Sequence, residues 1–451
     1  MSVDIFGKTE EWLKMNVATP RFERSRLLLI ELNEFDPDAM LAAARDMKLA
    51  NVQRALSFRH AQTTTADRVE HHGLDPWVQW VGVHCGQPTR VHGVRRLGAT
   101  RSQTLPQLWH EAAKAGLSWG AWGVMNAPMG PVDGCRFFMP DPWSFDETAY
   151  PAYLNDLLAL PRYTAQNYLD VDYGKALKAA LRLCKFFAPP SHWGLLAQLG
   201  GECASATLAA GLNVHTFTTV LDYLGVLLFV RLRKKSRPDL SIIFLNHIAH
   251  VQHQFWFRAG KIHPQLKLAF RLCDAMLGLL LEDRQPGEAV LVMNGMRQAN
   301  VAGEGHYVYR QRNPQNAIEA MGIAGGRVEQ CMTNDATILF ADAKNADAAF
   351  DVLDQCRLSD GHKAFDVERL GPGRLFYQFA FGHDVQPDTR LISGNYSKPF
   401  YEVFELICER TGAHVPEGDV YCDGIAIPDR LENHQIFDLA LRHLRGETVP
   451  A

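Results

Sequence analysis

Short apolar runs that break into polar residues recur along this chain, separated by stretches of helical pattern. The first, "RLLLIELNEFD" at 26–36, ends in Asn, Glu and Asp. "RPDLSIIFLNHIAH" at 237–250 and "PGEAVLVMNGM" at 286–296 have the same form, as do "DATILFAD" at 335–342 and "GDVYCDGIAI" at 418–427. Runs of this length, apolar on both alternations, are buried parallel strands, since such strands are covered on both faces. "LPQLWHEAAKAGLSWGAWGVMN" at 105–126 supplies a helix followed by a strand. Strands alternating with helices predict βαβ units in a mostly parallel sheet, with ligands beyond the carboxyl ends of the strands. Asn33, Glu34, His247, His250 and Asn294 all fall at such ends.

Residues 150–236 break the alternation. "AYLNDLLALPRYTAQNYLDVDYGKALKAALRLCKFF" and "LLAQLGGECASATLAAGLNVHTFTTVLDYLGVLLFVRL" carry helical pattern without strand signals. The expected organisation is a core made of 1–149 and 237–451, with 150–236 as a helical insertion or cap. The apolar run in "LDYLGVLLFVRLRKK" is about ten residues, short of the about 20 that cross a bilayer, and reads as a buried helix ending in a solvated basic turn. The start "MSVDIFGKTEEWLKMN" has no apolar core of the signal-peptide kind.

Composition narrows the class. The 451 residues are 47% hydrophobic and 21% charged, with a formal net charge of −4. This is globular composition without the basic stripe of a nucleic-acid binder. Nine scattered cysteines without a CxxC pair fit reduced thiols in a cytoplasmic protein.

Three segments carry candidate chemistry. "LNHIAHVQHQFWF" at 245–257 sets His247, His250 and His253 at steps of three, followed by Trp256. Positions i and i+3 of a helical turn are neighbours, so His250 and His253 can share one ion, or simply cap backbone carbonyls. "TGAHVPEGDVYCDG" at 411–424 places His414 in a Gly-rich loop before a strand, which is equally consistent with a surface loop. In "GLDPWVQWVGVHCGQPTRVHGV" at 73–94, Asp75 before Pro76 is an N-cap followed by an N1 proline. That helix should stop at Gly86, with Trp77 and Trp80 in the core and an anion-accepting N-terminus. His71 and His72 receive no role.

In order and spacing, these segments together resemble the type I phosphodiesterase and nucleotide pyrophosphatase branch of the alkaline phosphatase superfamily. "LLLIELNEFDPD" is similar to that family's first strand, "WVQWVGVHCGQPTRVHGV" to the helix after its nucleophile, and "LPQLWHEAAKAGLSWGAWGV" to the following helix and strand. "DLSIIFLNHIAHVQHQFW" and "TGAHVPEGDVYCDG" are similar to its metal segments, and "GEAVLVMNGM" to its Asp-His-Gly strand. The resemblance implies a three-layer αβα sandwich with a mostly parallel sheet and one metal site of His250, His253 and His414, with zinc expected. It also implies a dismantled second site, because Asn33 stands at the first-strand Asp and Met293 and Asn294 at the Asp-His pair. No Thr or Ser stands at the nucleophile position near Asp75. Asp75 or Glu34 is then the base or nucleophile, and Asn33, Gln79 and Asn294 hold substrate oxygens; His306 is a reserve ligand or a substrate contact. The expected activity is that of a single-metal enzyme acting on a phosphate, sulfate or related ester of a small molecule or glycan. The alternatives are a scaffold that has lost catalysis, or a metal-dependent transferase or lyase of different chemistry.

Overall fold

The computed structural model describes residues 25–447 apart from 69–73, 99, 101–102, 168–171, 188–191, 212, 257–261 and 332–333, so the N-terminal stretch and His71 and His72 lie outside the described residues. Eight strands form the central sheet. Their order is Arg430–Glu432, Arg59–Thr64, Gly418–Asp423, Glu288–Met293, Arg26–Leu32, Leu240–Leu245, Trp119–Val124 and Cys135–Pro140. Five of the seven pairings are parallel; Gly418–Asp423 runs antiparallel to both its neighbours.

The continuous apolar runs are explained by burial on both faces. Side chains alternate along a strand, so Leu28, Ile30 and Leu32 enter one core while Leu27 and Leu29 enter the other. Ile243 and Val292 follow the first set, and Ile242 and Leu291 the second. Helices Pro37–Met47, Val214–Ser236 and Pro264–Glu282 cover the first face, and Pro76–Cys85, Leu108–Lys114 and Ile436–Leu444 the second. The molecule is thus a three-layer α/β/α sandwich.

Helix Val214–Ser236 is long and apolar enough to cross a membrane by length and composition. It lies in the stretch read as an insertion, yet it forms part of a sandwich layer. Tyr223, Val226, Leu227, Leu228, Phe229 and Val230 join the core that contains Leu28 and Ile30. Its Arg233 is fully buried, and Nη2 donates to both carboxylate oxygens of Glu288 at 2.8 Å. Removing one partner of such a pair leaves an unpaired buried charge, at about 3–5 kcal/mol. Arg233 Nε also lies 3.4 Å from Asp283 Oδ2, so Glu288→Ala leaves it one carboxylate and should show a loss of about 3 kcal/mol, the lower end of that range, in urea denaturation; an Arg233→Met, Glu288→Leu double variant, which leaves Asp283 without its partner, should recover only part of it.

The structure corrects the reading of "DATILFAD". Asp335–Leu339 belongs to a separate four-stranded antiparallel sheet with Phe365–Gly371, Arg374–Phe379 and Arg327–Gln330. This sheet has its own core, including Tyr309, Ile338, Phe365, Tyr377 and Phe404. A short run bounded by polar residues does not reveal which sheet a strand joins. The chain enters and leaves this unit through an antiparallel stem in which Arg297–Asn300 pairs with Gly412–Val415. That stem carries part of the site.

Candidate metal and catalytic site

The site forms where the two central strands Arg26–Leu32 and Leu240–Leu245 end. Glu34 has a left-handed backbone, φ 56°, a conformation that costs a non-glycine residue roughly 1–2 kcal/mol. Its neighbours hold it there: its N–H donates to the Asn294 carbonyl at 2.9 Å, and its carbonyl accepts from Gln252 Nε2 at 3.1 Å. The turn aims the carboxylate, which is 1% exposed, at two imidazoles. Oε2 lies 3.2 Å from His253 Nε2 and 3.1 Å from His414 Nε2.

His253 closes the helical turn His247–Gln252, and His414 comes from the stem strand Gly412–Val415. The two segments meet because the Thr411 N–H donates to the His253 carbonyl and Thr411 Oγ1 to the Gln252 carbonyl. Gly412 permits the approach; a Cβ there would meet Gln298 Oε1 at 2.0 Å and the Gln252 carbonyl oxygen at 2.9 Å.

The tautomers follow from the partners. His253 Nδ1 lies 3.1 Å from the Gly412 carbonyl oxygen and His414 Nδ1 lies 2.8 Å from that of Leu74. A carbonyl only accepts, so both Nδ1 atoms carry hydrogen and both neutral rings present an Nε2 lone pair toward Glu34. His414 Nε2 is buried without a hydrogen-bond partner. Glu34, His253 and His414 each offer one ligand atom, all within 4.8 Å of one another. Two imidazoles and one carboxylate, with ring N–H groups anchored on backbone carbonyls, make a donor set suited to a zinc ion that keeps an open position.

Burial alone would raise the Glu34 carboxyl, but its two imidazole neighbours, above all the charge of His414, hold it well below the ordinary carboxylate value. Burial pushes His253 below the usual histidine value, against the pull of Glu34. His414 moves the other way, because Glu34 and Asp75 outweigh the effect of burial. In the metal-free protein one proton, on His414, therefore competes with a cation. Zinc affinity should rise about tenfold per pH unit up to the raised His414 value and then level off. Titration by isothermal calorimetry from pH 6 to pH 9 checks this; a slope of two protons would place a second protonated ligand in the site.

The other sequence-expected residues divide sharply. Asp75 has the backbone of an N-cap, at φ −121° and ψ 147°, before helix Pro76–Cys85, which ends at Gly86 as expected. Its side chain makes no capping hydrogen bond; Oδ1 lies 3.6 Å from His414 Nδ1, at the edge of the site. His250 is not in the Glu34, His253 and His414 group of ligand atoms; its Nε2 lies 3.2 Å from Asn246 Nδ2. Asn33 lies behind Glu34, donating to its Oε1 at 2.8 Å, and its own oxygen accepts from Trp80 Nε1. Asn294 donates to the Phe35 carbonyl and Asp419 Oδ2 and accepts from the Asp419 N–H, which uses both ends of its amide internally. Gln79 donates to Asp67 and accepts from Asn433, in a separate polar cluster. His306 is half-exposed and lies 3.6 Å from Glu304, outside the cluster.

Sequence reasoning missed Gln298. It stands opposite His414 in the stem ladder and donates to Glu34 Oε2. Its only signal in the chain is a polar residue soon after "VLVMNGM".

No family model and no curated protein matches the chain. Among solved structures, phosphonoacetate hydrolase from Sinorhizobium meliloti 1021 in complex with phosphonoformate is similar at 13% identity and a TM-score of 0.43, over 93% of this chain and 96% of that one. Murine and human ectonucleotide pyrophosphatase/phosphodiesterase 5 are similar at 10% identity and a TM-score of 0.44, each over 94% of this chain and 96% of its own.

Proposed function

We propose that this protein is a single-metal enzyme acting on a phosphate, sulfate or related ester, with Glu34, His253 and His414 as the ligands and zinc as the ion. The observation that carries the reading is the pair of imidazoles whose Nδ1–H groups are fixed on backbone carbonyls while both Nε2 atoms face Glu34 Oε2. A bound ion would supply Lewis-acid polarisation of an ester oxygen or activation of water. Glu34 offsets the charge, Gln298 and Asn33 hold its two oxygens, and Asp75, whose carboxylate lies 3.6 Å from His414 Nδ1, is assigned as the base. The substrate is a small molecule or glycan ester. The reading places the chain in the cytoplasm, where its nine cysteines, all free thiols, stay reduced.

Catalytic loss on a retained fold is the second reading. Its support is that Asn33 and Asn294, at the positions of the family's second metal, are engaged in internal hydrogen bonds. The test is zinc-loaded protein assayed against aryl phosphate monoesters, diesters and sulfates. Turnover of one class, removed by chelation, restored by zinc and absent in His414→Ala, supports the enzyme. Zinc binding without turnover of any of them supports the scaffold.

A further inference from the structure

The six most exposed large apolar side chains among the described residues are Tyr173, Leu177, Leu181, Trp193, Leu208 and Val214, and all of them lie within the helical stretch 150–236. Single exposed leucines are ordinary on a protein surface. Three of these are not scattered. Tyr173, Leu177 and Leu181 stand at steps of four on one helix, Tyr173–Cys184, and are 84%, 61% and 61% exposed. With about 3.6 residues per turn, such steps place side chains in one row along a helix.

The same helix has two further faces. Ala179 is buried and Leu183 packs against the core that holds Leu28 and Ile30, which seats the helix on the molecule. Lys175, Lys178 and Arg182, continued by Lys185 at the C-cap, form a second exposed row at steps of three and four. Lys175 pairs with the N-cap Asp172 and Lys185 with Asp156, but the helix itself, "YGKALKAALRLC", contains no acid. A surface helix of a globular domain turns its apolar face inward and its polar face outward. Here the outward surface is divided between an apolar row and a basic row, in a chain whose formal net charge is −4.

Charge decides the occupant. A second copy docking antiparallel through the same face would set the basic row against itself, and like charges brought together oppose association. An anionic bilayer surface satisfies both rows at once. Phospholipid headgroups hold the Lys and Arg charges while Leu and Tyr enter the boundary with the acyl chains. Tyrosine fits that boundary because its ring is apolar and its hydroxyl stays wet.

We propose that helix Tyr173–Cys184 docks this protein on an anionic phospholipid surface, with Tyr173, Leu177 and Leu181 in the boundary and Lys175, Lys178, Arg182 and Lys185 on the headgroups. The contact is peripheral and reversible: the helix has 12 residues, short of the about 20 that span a bilayer, and one of its faces packs on the protein. It uses none of Glu34, His253 and His414, so it stands independently of the ester reading.

The test is co-sedimentation of the full chain with vesicles of phosphatidylcholine alone and of phosphatidylcholine mixed with phosphatidylserine. Wild type should bind the mixed vesicles, lose them in high salt, and leave the neutral ones unbound. A Lys178→Ala, Arg182→Ala variant should bind the mixed vesicles on the order of 10–30-fold more weakly. A Leu177→Ser, Leu181→Ser variant should not bind them. All four positions are exposed, so both variants should keep the wild-type urea midpoint; should the serine variant unfold early, the alanine variant decides alone. Wild type that ignores the mixed vesicles, binds neutral ones equally, or keeps its binding in either variant would overturn the proposal. A dimer in sedimentation velocity that the serine variant breaks, without vesicle binding by wild type, would give the face to a second copy and overturn it as well.

Discussion

Replacing Glu34 by glutamine is expected to lower zinc affinity by on the order of 10²–10³-fold, the equivalent of about 3–4 kcal/mol for leaving a buried charge without its partner. The carboxylate is the only formal negative charge in the ligand set, and its surroundings are built to hold it, with Gln298 on one oxygen and Asn33 on the other. The same change should alter the metal-free protein. Glu34 sits well below its ordinary value, so its contribution to stability is present above about pH 4.5 and is lost as pH falls through its folded value. His414 is raised, so its contribution is full below pH 6.5 and is lost as pH rises through its folded value. Together they give extra stability centred between those limits. Glu34→Gln should flatten that maximum, as followed by chemical denaturation at a series of pH values. Wild-type zinc affinity in this variant would remove Glu34 from the ligand set.

Asp75→Asn is expected to lower kcat by about 10²–10⁴-fold, the usual contribution of a positioned general base, while fold and zinc content persist. The structure separates this outcome from a stability effect. Asp75 makes no side-chain cap on the helix that it precedes, and asparagine caps as well as aspartate in any case. Its carboxylate is turned instead toward His414. Should hydrolysis of the best substrate survive the change intact, Asp75 is not the base. Thr63, buried with an unpartnered hydroxyl on strand Arg59–Thr64, would become the next position to vary.

The strands that build the site were legible because their burial on both faces writes itself as continuous apolar runs, and Asn33, Glu34 and Asn294 follow directly from where those runs end. The convergence of His253 and His414, about 160 residues apart in the chain, was legible only through the order and spacing of the segments as a set. The position of Glu34 between the two imidazoles was not, because it depends on one left-handed residue whose conformation is held by Asn294 and Gln252, neither of them near in sequence. The bonding of His250 was not legible for a related reason. Steps of three put His250 and His253 on one face, but the direction of a hydrogen-bond chain through Trp80, Asn33 and Asn246 decides which ring nitrogen is available. The small antiparallel unit was hidden because a strand such as Asp335–Leu339 has the same pattern as a central one.

The central claim is one metal ion held by Glu34, His253 and His414. Its most direct test is metal stoichiometry, measured by elemental analysis after zinc loading and dialysis, on wild type and on the His253→Ala, His414→Ala double variant. The structure predicts one zinc per chain in wild type and none in the variant. No bound zinc in wild type, two per chain, or one retained in the double variant would contradict it.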